Sequence, residues 1–192
     1  NFGLKTKDIT GLSRERMKNK GILKKLSVVA AFAFLMNASA VYAGPFDAWS
    51  YKAKITFNGY GKTTLTNFPA LVVLGTNMTG WQAHDFLANA ADLRFADSND
   101  AVELRYELEK WDTNGQSYAW VQLPKLTGTN TFIWAHWGKA GEVAPAYRTN
   151  GLVWTNEIGV WHMQSANATD STTNNFNGTA NGTVTQVTGG KI

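Results

Sequence analysis

Residues 102–109 read Val-Glu-Leu-Arg-Tyr-Glu-Leu-Glu. Val102, Leu104, Tyr106 and Leu108 alternate with Glu103, Arg105, Glu107 and Glu109. Glu, Leu and Arg are good helix formers, so a helix is the competing expectation. Strict period two, with every charge on one side, selects instead a strand with one buried and one solvated face. Outward from this stretch, residues 53–58 (AKITFN), 71–74, 118–123 (YAWVQL) and 131–137 (TFIWAHW) are short runs of strand character. Turn signals separate them: Asn58-Gly59, Asn99-Asp100, Asn114-Gly115, Gly128 and Gly138. Strands at this spacing predict an all-β sandwich or barrel, and a jelly-roll-like β-sandwich is the fold expected here. Residues 80–91 are the place for a short helix or an irregular insertion.

Charge divides the chain. The formal charge is +4 and the pI about 9.3. Residues 1–43 carry +6, and the remainder carries −2. Met17 is followed by Lys18, Lys20, Lys24 and Lys25, then the apolar run 26–36 (LSVVAAFAFLM) and the small-residue stretch 37–43. Positive, apolar and small-residue segments in that order predict a secretory signal peptide over 17–43. The apolar run is too short to span a bilayer, which needs about 20 residues. Val41 and Ala43 place cleavage between Ala43 and Gly44; Ala38 and Ala40 would place it before Val41. Residues 1–16 read as a leader upstream of the start at Met17. The mature product is then expected to be exported, secreted or displayed at the cell surface or in the periplasm. Its acidic balance argues against a nucleic-acid partner.

Cysteine is absent, which excludes disulfides, thiolate metal sites and a thiol nucleophile. No nucleophile elbow, dinucleotide fingerprint or phosphate loop occurs. Glu103, Glu107 and Glu109 could supply the paired carboxylates of a glycosidase, but a solvated strand face accounts for them. Asp92, Asp97 and Asp100 are calcium candidates, since Asp-rich loops supply oxygen ligands. Asx-turn chemistry accounts for the stretch from Asp97 to Asp100 without a metal. His84, His136 and His162 lie far apart with no ligand spacing, and His136 is expected to be a hydrogen-bonded, partly buried imidazole. No cofactor is implied. All eight Trp follow residue 43. Trp49, Trp120 and Trp134 sit in strand patterns and are expected in the core. Trp81 and Trp111 lie near turns with polar neighbours and are the candidates for an exposed sugar-stacking platform.

Five motifs in order carry a family resemblance. They are Trp49-x-Tyr51-Lys52-x-x-Ile55, then Asp92-Leu93-Arg94-Phe95-x-Asp97-Ser98, then Leu104-x-Tyr106-x-Leu108-Glu109-x-Trp111. Ala119-Trp120-Val121-x-Leu123-Pro124-x-Leu126 and Thr131-x-Ile133-x-x-x-Trp137-Gly138 complete the series. This resembles the prokaryotic extracellular family called domain of unknown function 2341, over residues 49–139. Trp137-Gly138-Lys139 departs from the family's usual Tyr-Gly-Asn. Val160-Trp161-His162-Met163, Asp170-Ser171-Thr172 and Asn177-Gly178-Thr179 resemble the first strands of a concanavalin A-like (laminin G-like) domain, with 158–163 as a strand.

The expected organisation is therefore a sandwich over 44–147, followed over 148–192 by a linker and the truncated start of a second β-sandwich. The expected function is a non-catalytic binding or adhesion module of a larger secreted or surface protein of bacteria. Polysaccharide or surface glycan is the expected ligand. A fragment of a polysaccharide-degrading glycoside hydrolase and a structural spacer without ligand are the alternatives.

Overall fold

In the computed structural model the described residues are 43–78, 80–164, 166 and 168–185. The signal-peptide and leader segments lie outside them, except Ala43, which with Gly44 is exposed. Among the described residues seven antiparallel strands follow in order: β1 (Tyr51–Thr56), β2 (Leu65–Leu74), β3 (Arg94–Ala96), β4 (Glu103–Leu104), β5 (Tyr106–Lys110), β6 (Ser117–Leu126) and β7 (Phe132–Trp137). One sheet has the order β1-β7-β3-β4 and the other β2-β6-β5. The predicted all-β architecture holds: the two sheets enclose a shared apolar core, and among the described residues helix is confined to short 3₁₀ turns. Two of these turns, Ala83–Asp85 and Ala88–Ala90, occupy the irregular stretch expected at 80–91.

The stretch 102–109 is strand, but it serves both sheets. Phe95 pairs with Leu104 in the first sheet, and Tyr106 pairs with Val121 in the second. Arg105 is the crossing point, and its carbonyl accepts the Gln122 N–H at 3.0 Å. Leu104 and Tyr106 are buried as the alternation requires, and Leu108 packs against the core. Val102, outside the strand, is 57% exposed.

Side-chain parity fixes what each sheet contributes inward. From β7 these are Ile133, Ala135 and Trp137; from β6, Ala119, Val121 and Leu123; from β2, Ala70, Val72 and Leu74. Parity also corrects the tryptophan expectations. Trp120 and Trp134 lie on the outward-facing series of β6 and β7 and are half-buried, as is Trp49 before β1. The deeply buried tryptophans are Trp81, Trp137 and Trp154.

The described part of 43–192 is one compact unit. After the 3₁₀ turn Ala146–Thr149, residues 150–164 run along the outer face of the three-stranded sheet. Gln122 on β6 donates to Val153 O (3.3 Å) and Thr155 Oγ1 (2.6 Å), and Asn156 donates to Thr66 O on β2 (3.3 Å). The strand expected at 158–163 reduces to a single bridge between Trp161 and Asp170. Its backbone polar groups are taken by side chains of the following loop, Asp170 and Asn174 among them.

Candidate functional site

Glu107 and Glu109 extend from β5 on the face opposite Tyr106 and Leu108. The register of β5 against β6 shifts between Leu108 and Lys110, leaving Glu109 as the extra residue of a bulge. A bulge frees backbone groups and re-aims side chains. Here the Glu109 carbonyl accepts Gln164 Nε2 at 2.7 Å. The solvated face expected for these glutamates is corrected for both: the covering segment brings Trp154 and His162 over them. Trp154 Nε1 donates to Glu107 Oε2 (2.9 Å) and Trp120 Nε1 to Glu109 Oε2 (3.1 Å). Gln164 Nε2 also donates to Glu109 Oε1 (2.6 Å).

His162 enters between the two carboxylates, with Nε2 at 2.9 Å from Glu107 Oε1 and Nδ1 at 2.6 Å from Glu109 Oε2. The Trp154 ring lies 5.4 Å from the imidazole and the Trp120 ring 6.4 Å. Burial on its own would push the imidazole below its ordinary value. The two carboxylates outweigh it and hold the pKa above that value. This convergence escaped the sequence reading. The i, i+2 glutamates were visible, but no spacing ties them to His162, which arrives through the docking of a separate segment.

The other sequence candidates are dispersed. Asp92 is fully buried and accepts the N–H groups of Leu87 (2.8 Å) and Gly138 (2.6 Å). Asp97 caps its own turn through the N–H groups of Ala101 (2.9 Å) and Val102 (3.0 Å), an Asx-type arrangement. Asp100 pairs with Lys52 (3.2 Å) and with His136 (2.6 Å). The three carboxylates thus have separate structural partners and are not brought together. His136 is buried and stacks on Phe46, and its pKa is lowered, with burial outweighing the Asp100 carboxylate.

Trp81 is corrected as a stacking platform, because it is 8% exposed and packs in the core. Its ring contacts Phe86 at 4.8 Å and Trp111 at 5.7 Å. Trp111 is half-buried against the same cluster. Apolar rings at the open end of a sandwich lower their free energy by closing it, and the polar neighbours that suggested exposure belong to the loops around them.

An open groove of about 660 Å³ lies elsewhere, between the Asp97 turn and the connection from β6 to β7. Asp97, Ser98, Lys125, Thr127, Asn130 and Phe132 are among the residues that line it.

A family model for a domain of unknown function, DUF2341, matches residues 89–146. The match takes in β3 to β7, hence Asp92, Glu107, Glu109 and the groove residues. It stops short of His162 and of residues 160–179. No curated protein and no solved structure gives a match.

Proposed function

We propose that this chain is a non-catalytic binding or adhesion module of a larger exported bacterial protein, with glycans as its ligand class. The observation that carries the reading is the groove between the Asp97 turn and the β6–β7 connection. Hydroxyl, amide and charged residues line it together with Phe132, whose ring carries Lys54 Nζ 3.8 Å from its centroid, a combination of polar rim and apolar surface that suits a sugar. The carboxylates that a glycoside hydrolase would need support the non-catalytic side. Glu107 and Glu109 are each engaged by an indole N–H and by His162 under a covering segment. A general acid must reach the leaving oxygen, and these two are turned to internal partners.

Export rests on the signal-peptide pattern at 17–43. A lectin-like continuation rests on the resemblance of 160–179 to concanavalin A-like domains. The test is a glycan array probed with the full chain and with Phe132→Ala and Asn130→Ala. Retention of a glycan by the wild type and its loss in both variants is the expected outcome. Retention of no glycan, or undiminished retention by both variants, overturns the reading.

A further inference from the structure

Two carboxylates under one covering segment create an unbalanced charge. The side chains of Glu107 and His162 are each 15% exposed and that of Glu109 is 6% exposed. With His162 protonated the cluster carries −1, and with it neutral, −2. Uncompensated charge away from water is strongly unfavourable. A divalent cation beside a neutral imidazole balances the cluster fully.

The geometry suits such an ion. One ligand atom from each of Glu107, Glu109 and His162 lies within 4.8 Å of the other two. His162 Nε2 is shut off from solvent and has no well-aligned hydrogen bond, although Glu107 Oε1 is only 2.9 Å away. A ring nitrogen and a carboxylate oxygen that face each other without sharing an aligned proton can share a metal. At bond lengths of about 2.0–2.2 Å, two tetrahedral ligand atoms stand roughly 3.3–3.6 Å apart. The two imidazole nitrogens diverge, so an ion on Nε2 beside Glu107 draws the Glu109 carboxylate from Nδ1 towards it, closing ligand separations of up to 4.8 Å. The carboxylates also have the outer partners that hold metal ligands in place: Trp154 on Glu107, and Trp120 and Gln164 on Glu109.

We infer that Glu107, Glu109 and His162 form a binding site for a divalent transition-metal cation, with Zn²⁺ the best match. An imidazole in a three-ligand set favours Zn²⁺ over Ca²⁺ and Mg²⁺, which require all-oxygen shells. Because two ligands belong to β5 and the third to the covering segment, the ion clips 150–164 onto the sheet. This does not depend on the glycan reading.

The full chain, stripped with a chelator and dialysed, is titrated with zinc chloride by calorimetry. One equivalent of Zn²⁺ is expected to bind and to raise the melting temperature, while Ca²⁺ and Mg²⁺ do neither. Glu107→Gln and His162→Ala should each weaken binding at least about tenfold, and His84→Ala, at an exposed imidazole, should leave it unchanged. Absence of Zn²⁺ binding by the wild type overturns the inference. So does wild-type affinity in both ligand variants, or loss of binding in His84→Ala. Should the ligand variants fail to fold, Co²⁺ substitution of the wild type decides. Visible absorption bands of a low-symmetry N/O site support the inference, and a spectrum identical to free Co²⁺ overturns it.

Discussion

The indole N–H of Trp154 donates to Glu107 Oε2 at 2.9 Å, joining the segment after the sandwich to the outer face of β5. Trp154 is 6% exposed and Val153 beside it 1%, yet neither belongs to the central cluster between the sheets. They form a satellite core of their own. Trp154→Ala is expected to lower the free energy of docking by about 3–5 kcal/mol, the usual range for removing a buried large aromatic. The loss is local, so limited proteolysis within 150–164 should accelerate well beyond tenfold while the sheets keep their far-UV signature. Equal cleavage rates in variant and wild type would contradict the satellite core.

Asp92 ties three separate segments together. Its carboxylate accepts from Leu87 and Gly138, and its carbonyl accepts from Trp49 Nε1 at 2.7 Å. Asp92→Ala leaves two inward N–H groups unpaired and should destabilise the fold by about 2–4 kcal/mol, with Asp92→Asn milder because one acceptor survives. Gly138 has φ +87°, and a Cβ there would stand 2.4 Å from Tyr51 Cδ2. Gly138→Ala is therefore also destabilising. Urea denaturation of the three variants checks the set, and a wild-type midpoint for Asp92→Ala would refute the role of the carboxylate.

What could be read from the sequence follows from where the information lies. Period two over 102–109 needs no tertiary knowledge, so the strand character and the inward set Leu104, Tyr106 and Leu108 were legible. The crossing at Arg105 was not, because alternation continues unbroken while the pairing partner changes. For Trp120 and Trp134 the strands were read correctly, but which parity faced inward was not, since Trp suits either face. At the candidate site, Glu107 and Glu109 looked solvated because nothing local announces a covering segment. Trp154 and His162 carry that information, and only docking brings them to β5.

Tyr106 is fully buried, with its hydroxyl donating to Leu93 O at 2.9 Å. Burial pushes its pKa to about 12, against an ordinary value of 10.0, despite the opposing influence of Arg148 and Arg94. The neutral phenol is thus favoured in the folded state. Its contribution is complete below pH 10 and is lost as pH rises toward 12. Alkaline unfolding should set in across that window, and Tyr106→Phe should flatten the Tyr106 component of the pH dependence. At neutral pH the same variant should lose only about 0.5–1.5 kcal/mol, the net worth of one hydrogen bond, because Leu93 O keeps Arg94 Nη1 as a donor at 2.7 Å. An unaltered alkaline profile in Tyr106→Phe would assign the transition to another group.

Asp170 organises the loop that follows the covering segment. Its carboxylate accepts the N–H groups of Val160, Thr172 and Phe176, each at 2.9 Å, and the Thr172 hydroxyl at 2.8 Å. Desolvation acts to raise its pKa, but these donors together outweigh it and bring it to about 2, from an ordinary 3.8. A depressed carboxylate stabilises the fold above its unfolded value and loses that contribution as pH falls through the folded one. Between pH 4 and 2 the amides of Val160, Thr172 and Phe176 should therefore lose hydrogen-exchange protection ahead of those in β6 and β7. Asp170→Asn should show low protection at these three amides at pH 6 already, with no further step on acidification. Protection that persists to pH 2 in the wild type, or an acid step that survives in Asp170→Asn, would place the acid sensitivity of this loop on another carboxylate.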